Sequence, residues 1–125
     1  MPVLSTIAGE RFANAVAAQD PAALRAVLAD HVDFAALTPG GHWTATGPAE
    51  VDDIVLGHWF APDRRIVELS SVTTAEVADC QHVGYRLLVQ RDGADHVVEQ
   101  QAFYTVLDGG IDWIRIVCSG YRPTA

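Results

Sequence analysis

Apolar positions in the first third of the chain recur every three or four residues on an alanine-rich background. In "RFANAVAAQDPAALRAVLADHVDF" (residues 11–34), Phe12 and Val16, then Leu24, Val27 and Leu28, keep that spacing, which predicts amphipathic helices. Asp20 before Pro21 combines an N-cap residue with a proline at the first helical position, so a second helix is expected to start there. "HVDFAAL" then turns extended, "TPGG" (38–41) reads as a hairpin turn, and "HWTAT" (42–46) as the returning strand. Thr46 or Gly47 can cap a third helix, with Pro48 in its first turn. Val51, Ile54, Val55 and His58 or Trp59 share one of its faces. Further on the period changes. Residues 65–77, about 80–91, 96–107 and 111–119 are rich in β-branched and aromatic side chains and are separated by "ADC", "RDGAD" and "DGG". Connections this short predict antiparallel neighbours, and helices followed by a meander predict one α+β domain over residues 1–125.

Hairpin geometry assigns the faces of the meander. Centring the last turn on Gly109 pairs Tyr104 with Ile114, Ala102 with Ile116 and Gln100 with Cys118. Centring the earlier turn near Gly93 pairs Tyr85 with Ala102 and Leu87 with Gln100. Because side chains alternate, the two registers must agree on which residues share a face, and they do. One face carries Val83, Tyr85, Leu87, Val89, Val98, Gln100, Ala102, Tyr104, Ile114, Ile116 and Cys118, and is expected to be concave and buried. The other carries Arg86, Leu88, Glu99, Gln101, Phe103, Trp113 and Arg115. The same registers put Cys80 beside Leu107 and Cys118 beside Gln100. At ~3.3 Å per residue that separation is on the order of 20 Å, too far for a disulfide.

Composition narrows the chemistry. A formal net charge of −8 argues against a nucleic-acid partner. All eight basic residues are arginine, so Schiff-base and lysine-base mechanisms are excluded. The histidines (His31, His42, His58, His82, His96) and the two cysteines lack ligand spacing, and no metal site is expected. No apolar stretch approaches the ~20 residues needed to cross a bilayer. "MPVLSTIAGERF" lacks the pattern of a secretory leader, so the expected location is the cytoplasm, without a membrane partner.

The order of elements, "AAQDPAALRAVLADHVDF" and "DGGIDWIRI" resemble the nuclear transport factor 2-like superfamily, which includes ketosteroid isomerases, scytalone dehydratase and SnoaL-like polyketide cyclases. The likeness covers residues from about 8 to 120. It implies a cystatin-like α+β cone, with N-terminal helices packed on a strongly bent antiparallel sheet around an internal apolar pocket. It also implies a homodimer joined through the outer sheet face, here Phe103, Trp113, Arg86 and Arg115. The ketosteroid-isomerase functional positions fall on Phe12, Ala36 and Ala102, all apolar, so that mechanism is not expected. Asp33 falls on the wrong side of its strand, since Val32, Phe34 and Ala36 share the buried side.

The expected pocket lining is Phe12, Val16, Val55, Trp59, Tyr85, Leu87, Ala102, Ile114, Ile116 and Cys118. Candidate catalytic residues are His42, Gln100 and Tyr104. His42 is the candidate base if alternation with Thr44 turns it inward, with a surface position the favoured alternative, and Gln100 is either a core amide bonded to a tyrosine or a donor to a ligand carbonyl. His58 is expected to cap its helix or cover the pocket mouth. Cys118 is expected among Gln100, Ile116 and Leu87, which do nothing to lower a thiol pKa, so it reads as a small apolar wall residue. Two functions stay open: a cofactor-free isomerase, cyclase or dehydratase for a hydrophobic polycyclic or polyketide-like molecule, or a non-catalytic binding or dimerisation module.

Overall fold

A computed structural model describes the backbone of residues 2–124 and the side chains of residues 7–124. Helices α1 (Pro2–Ala18) and α2 (Pro21–Ala26) lead into the hairpin β1 (Leu28–Thr38) and β2 (Gly41–Thr46). Helix α3 (Pro48–Ile54) continues as a π-helical turn over Val55–Trp59. Strands β3 (Arg65–Val77), β4 (Cys80–Arg91), β5 (Ala94–Leu107) and β6 (Gly110–Cys118) follow, then a short β7 (Arg122–Pro123). Asp20 caps α2 by accepting from Ala23 N at 3.2 Å, and Pro21 supplies the preset φ behind it. Gly47 caps α3, and the Glu50 carboxylate reaches back to Thr46 N at 2.9 Å. Among the described residues no helix is long and apolar enough to cross a membrane.

The sheet order is β2-β1-β6-β5-β4-β3, with β7 added to β5. Two expectations are corrected here. The sheet is mixed rather than wholly antiparallel, because β1 and β6 run parallel, with Phe34 opposite Ile114 and Ala36 opposite Ile116. It is also open: β2 and β3 form its two edges, and it is neither closed nor strongly bent. The reason is connectivity. The β1–β2 hairpin uses one edge of β1, and α3 with its π-helical turn leads the chain to the far edge. The meander then works back until β6 meets the remaining edge of β1 in the same direction. A parallel neighbour needs such a long crossover.

The assignment of faces holds. Val83, Tyr85, Leu87, Val89, Val98, Gln100, Ala102, Tyr104, Ile114 and Ile116 are all buried, whereas Arg86 and Glu99 are exposed. The β5–β6 register is the expected one, with Gln100 opposite Cys118. The β4–β5 register differs by two residues: Tyr85 faces Gln100, and Leu87 faces Val98. The turn is a two-residue one, with Asp92 at φ 53° and Gly93 at φ 76°, and it closes on Arg91 and Ala94 instead of centring on Gly93. A slip of two keeps every side chain on its face, which is why the buried set survived it.

Two sets of polar contacts tie the helices and the segment before β3, and a third contact links neighbouring strands of the sheet. Arg25 on α2 donates through Nε and Nη2 to one carboxylate oxygen of the buried Asp52 on α3, at 2.9 and 2.8 Å. Gln19, at the end of α1, serves three main-chain groups of the segment before and into β3. Its Nε2 donates to Phe60 O (3.1 Å) and Arg64 O (2.8 Å), and its Oε1 accepts from Ile66 N (3.0 Å). Within the core, Tyr85 Oη donates to Gln100 Oε1 at 2.5 Å. Burial pushes the Tyr85 phenol well above its ordinary value, with Cys118 adding in the same direction.

Gln19→Ala removes all three of its contacts and is expected to cost about 1–3 kcal/mol in urea unfolding, since two carbonyls and an N–H lose partners in a partly buried place. Tyr85 makes the fold sensitive to alkali. Above the ordinary phenol value of 10.0 the unfolded chain releases that proton while the folded chain keeps it, so stability must fall as pH rises. Urea midpoints measured between pH 8 and 11 should therefore decline, and Tyr85→Phe should flatten the decline. An unchanged slope in that variant would show that the phenol does not drive it.

Candidate functional site

Parallel pairing of β1 and β6 brings their C-terminal ends together, and a cavity of about 470 Å³ opens there. The β1–β2 turn (Thr38, Pro39, Gly40) forms one side, and the chain leaving β6 (Cys118 to Arg122) forms another. The segment after α3 closes the third side with His58, Trp59, Phe60 and Arg64.

Each wall has a local cause. Phe60 N donates to Val55 O at 2.9 Å across five residues, and this π-helical turn lies where the helix delivers His58 and Trp59 to the opening. Trp43 on β2 is held by its indole N–H donating to Thr38 Oγ1 at 3.0 Å. Its ring meets His58 at 5.6 Å and the edge of Trp59 at 6.2 Å, and Trp59 also meets Phe34 at 5.9 Å. At Gly120 the backbone takes φ +73° and runs so close to Pro39 that an added Cβ would lie 2.8 Å from Pro39 Cγ. Only glycine suits that passage. The turn lets Tyr121 reach over the cavity before β7 rejoins β5.

Tyr121 is the most heavily contacted side chain of the wall. Its hydroxyl donates to Trp59 O, and its ring meets Phe60 at 6.3 Å and His96 at 5.9 Å. The guanidinium carbons of Arg64 and Arg91 stand 5.5 and 4.8 Å from its centroid. Burial raises its phenol pKa, although both arginines pull the other way. Arg64 is braced by Nη1 donating to His58 O (2.8 Å) and Trp59 O (3.1 Å).

Of the ten residues expected to line a pocket, Trp59 and Cys118 border this cavity. Phe12, Val16, Val55, Tyr85, Leu87, Ala102, Ile114 and Ile116 are instead packed into the core. Helix α1 seats directly against β3 and β4, and Phe12 reaches the Tyr85 ring at 6.3 Å, so side chains fill the space beneath it. The open space lies at the end of the core instead of within it.

The three candidate catalytic residues do not converge. His42 and Thr44 are exposed, so His42 takes the surface position and alternation does not turn the pair inward. The hairpin pairs Trp43 with Ala36 and Ala45 with Phe34 on the buried side, which leaves His42 beside Leu37 and Thr44 beside Ala35 on the outer side. Tyr104 is fully buried, and its hydroxyl bonds to the backbone of Gly9. A Cβ at Gly9 would lie 2.3 Å from that oxygen. Burial raises the Tyr104 phenol, partly offset by the Gly9 bond. Gln100 is a core amide that accepts from Tyr85 through its oxygen, and its Nε2 has no partner among the described residues.

Cys118 borders the cavity with its Sγ accepting from Gly120 N at 3.4 Å, and both cysteines are free. Among the described residues no three His, Cys, Asp or Glu side chains gather as a metal site. Trp43, Phe60, Arg64, Arg91 and Tyr121 were not legible as site residues. They come from four separate segments with no shared spacing, and "SGYRP" offered only a glycine break followed by an aromatic and a cation.

No protein-family model and no curated protein sequence matches the chain. Solved structures do. A Bacillus subtilis protein named "Putative Isomerase" aligns at TM-score 0.77 and 12% identity, over 93% of this chain and 86% of its own. A "putative polyketide cyclase" from Pseudomonas putida aligns at TM-score 0.71 and 18% identity, over 90% and 89%. An LEH-like epoxide hydrolase from M. tuberculosis aligns at TM-score 0.70 and 14% identity, over 94% and 84%. At such identities the likeness is one of fold: the chain has the α+β cone fold of the nuclear transport factor 2-like superfamily, which SnoaL-like and ketosteroid-isomerase-like proteins share.

Proposed function

We propose that this chain binds a small hydrophobic or aromatic molecule in the cavity at the open end of the cone. The observation that carries the reading is the convergence of Trp43, Trp59, Phe60 and Tyr121 on a space of about 470 Å³. That volume suits a small organic ligand, and rings from separate segments offer faces and edges to a flat molecule.

A second reading has its own support. His58 is the one imidazole among the described residues bordering the cavity, and its ring is held against Trp43. With a proton acceptor there, and with folds like those of the isomerase and cyclase named above, the site suits a cofactor-free isomerisation, cyclisation or dehydration of a polycyclic or polyketide-like substrate. The outer sheet face suits a homodimer. There Trp113 lies under Arg115 at 4.6 Å and Phe103 against His82 at 5.0 Å, and the facing pair Leu37 and Val117 stay 56% and 52% exposed.

Titration with planar one- to three-ring compounds should quench tryptophan fluorescence, and Trp43→Ala should weaken binding about tenfold, ~1.4 kcal/mol. Absence of binding across the set would remove the pocket reading. For a compound that is turned over, His58→Gln should keep binding and lose turnover, whereas full activity in that variant ends the case for His58. Light scattering at micromolar concentration should give a dimer that Trp113→Glu dissociates. A monomeric parent protein would overturn the interface.

A further inference from the structure

The cavity has a charge pattern that shape alone does not require. In a chain of net charge −8, three arginines (Arg64, Arg91 and Arg122) border it, and among the described residues no aspartate or glutamate does. Two of these cations are brought to one ring, with Arg64 and Arg91 both within 5.5 Å of the Tyr121 centroid. Their local compensation is slight. Arg64 Nη1 is engaged by two main-chain carbonyls, which carry no net charge and leave other N–H groups of the fork for a further acceptor. Arg91 stands 3.8 Å from Asp92, a turn residue whose side chain is 89% exposed, and such pairs contribute little.

The uncharged polar groups point the same way. Trp59 borders the cavity while only 8% exposed, and its Nε1–H has no acceptor among the described residues. A buried indole donor without a partner costs free energy that a ligand acceptor would recover. Gln100, directly opposite the cavity-lining Cys118, holds a second unpartnered donor beneath the floor. The Tyr121 hydroxyl donates to Trp59 O, and as an acceptor it already receives the Arg64 side chain. Three guanidinium groups and a buried indole N–H thus border a cavity that no described carboxylate borders, beside Thr38 and Ser119 hydroxyls that are already hydrogen-bonded.

We infer that the molecule taken by this cavity is an arene carboxylate, its rings among Trp43, Trp59 and Phe60 and its carboxylate received by Arg64 and Arg91 with the Trp59 N–H. The inference rests on the pocket reading above and adds the charge of the ligand. Guanidinium forks match a carboxylate's two oxygens, and stacking on Tyr121 holds the forks in place before the ligand arrives. An incoming anion also relieves the repulsion between two cations gathered on one ring.

The test is calorimetric titration of the whole protein with arene carboxylates of one to three rings, each beside its hydroxymethyl analogue. At low salt the carboxylates should bind about ten- to a hundredfold more tightly than their neutral partners, the range expected of hydrogen bonds between charged groups. Rising salt should narrow that gap, and Arg64→Met, Arg91→Met and Trp59→Phe should each reduce it. Arg64 braces main-chain carbonyls and its variant can fail to fold. Arg91→Met, which gives up the exposed contact to Asp92 and the cation on the Tyr121 ring but no main-chain bond among the described residues, keeps the result readable. Equal binding of acids and alcohols, or a gap unmoved by Arg91→Met, overturns the carboxylate inference while leaving the pocket reading intact. Binding by neither series overturns both.

Discussion

The cavity at the end of this molecule depends on the parallel ladder between β1 and β6. Its register, Phe34 against Ile114 and Ala36 against Ile116, joins the N-terminal hairpin to the C-terminal meander in one continuous sheet. Because the strands run the same way, the turn that ends β1 and the tail that ends β6 emerge side by side. Pro39 and Gly120 touch there, and the cavity lies between those two exits and the segment that follows α3. An antiparallel junction would have sent the two exits to opposite ends of the sheet and left no common wall.

Around that junction, polar contacts act as spacers for an apolar interior. Gln19 fixes the segment bearing Phe60 and Arg64 by serving three main-chain groups at once, and Arg25 keeps the buried Asp52 paired between α2 and α3. The core itself is filled by side chains, Phe12 against Tyr85 and Tyr104 against Gly9, so it offers no room for a ligand. The cavity lies where the layers end. There the wall is aromatic and cationic, and two buried donors, Trp59 Nε1 and Gln100 Nε2, await acceptors. Unsatisfied groups of this kind are uncommon in packed interiors; here Trp59 borders the cavity, and Gln100 lies opposite Cys118, which also borders it.

Legibility followed the range of the interactions. The Asp20–Pro21 start of α2, the Gly47–Pro48 start of α3 and the turns at 39–40 and 108–109 are local devices, and each was readable from a few adjacent residues. The buried face of the meander was readable even though the β4–β5 register was off by two, because a slip of two conserves alternation. The direction of His42 stayed open for the complementary reason. Its strand has only six residues, with exposed positions on both sides of the pleat, so the pattern did not state which parity faces in, and pairing with Leu37 settled it. The cavity residues were the least legible, since Trp43, Arg64, Arg91 and Tyr121 meet only through chain crossings.

By itself the sequence determined the starts of α2 and α3, the strand boundaries to within a few residues, the α+β class and the inward position of Gln100 opposite Cys118. These depend on backbone propensity and on a two-residue period, both carried by neighbours in the chain. Tertiary structure alone decided that β1 meets β6 in parallel, that the sheet stays open, and that the core is full while its end is hollow. Each of these is a matter of which edges and rings meet across long stretches of chain, where no local pattern records the partner.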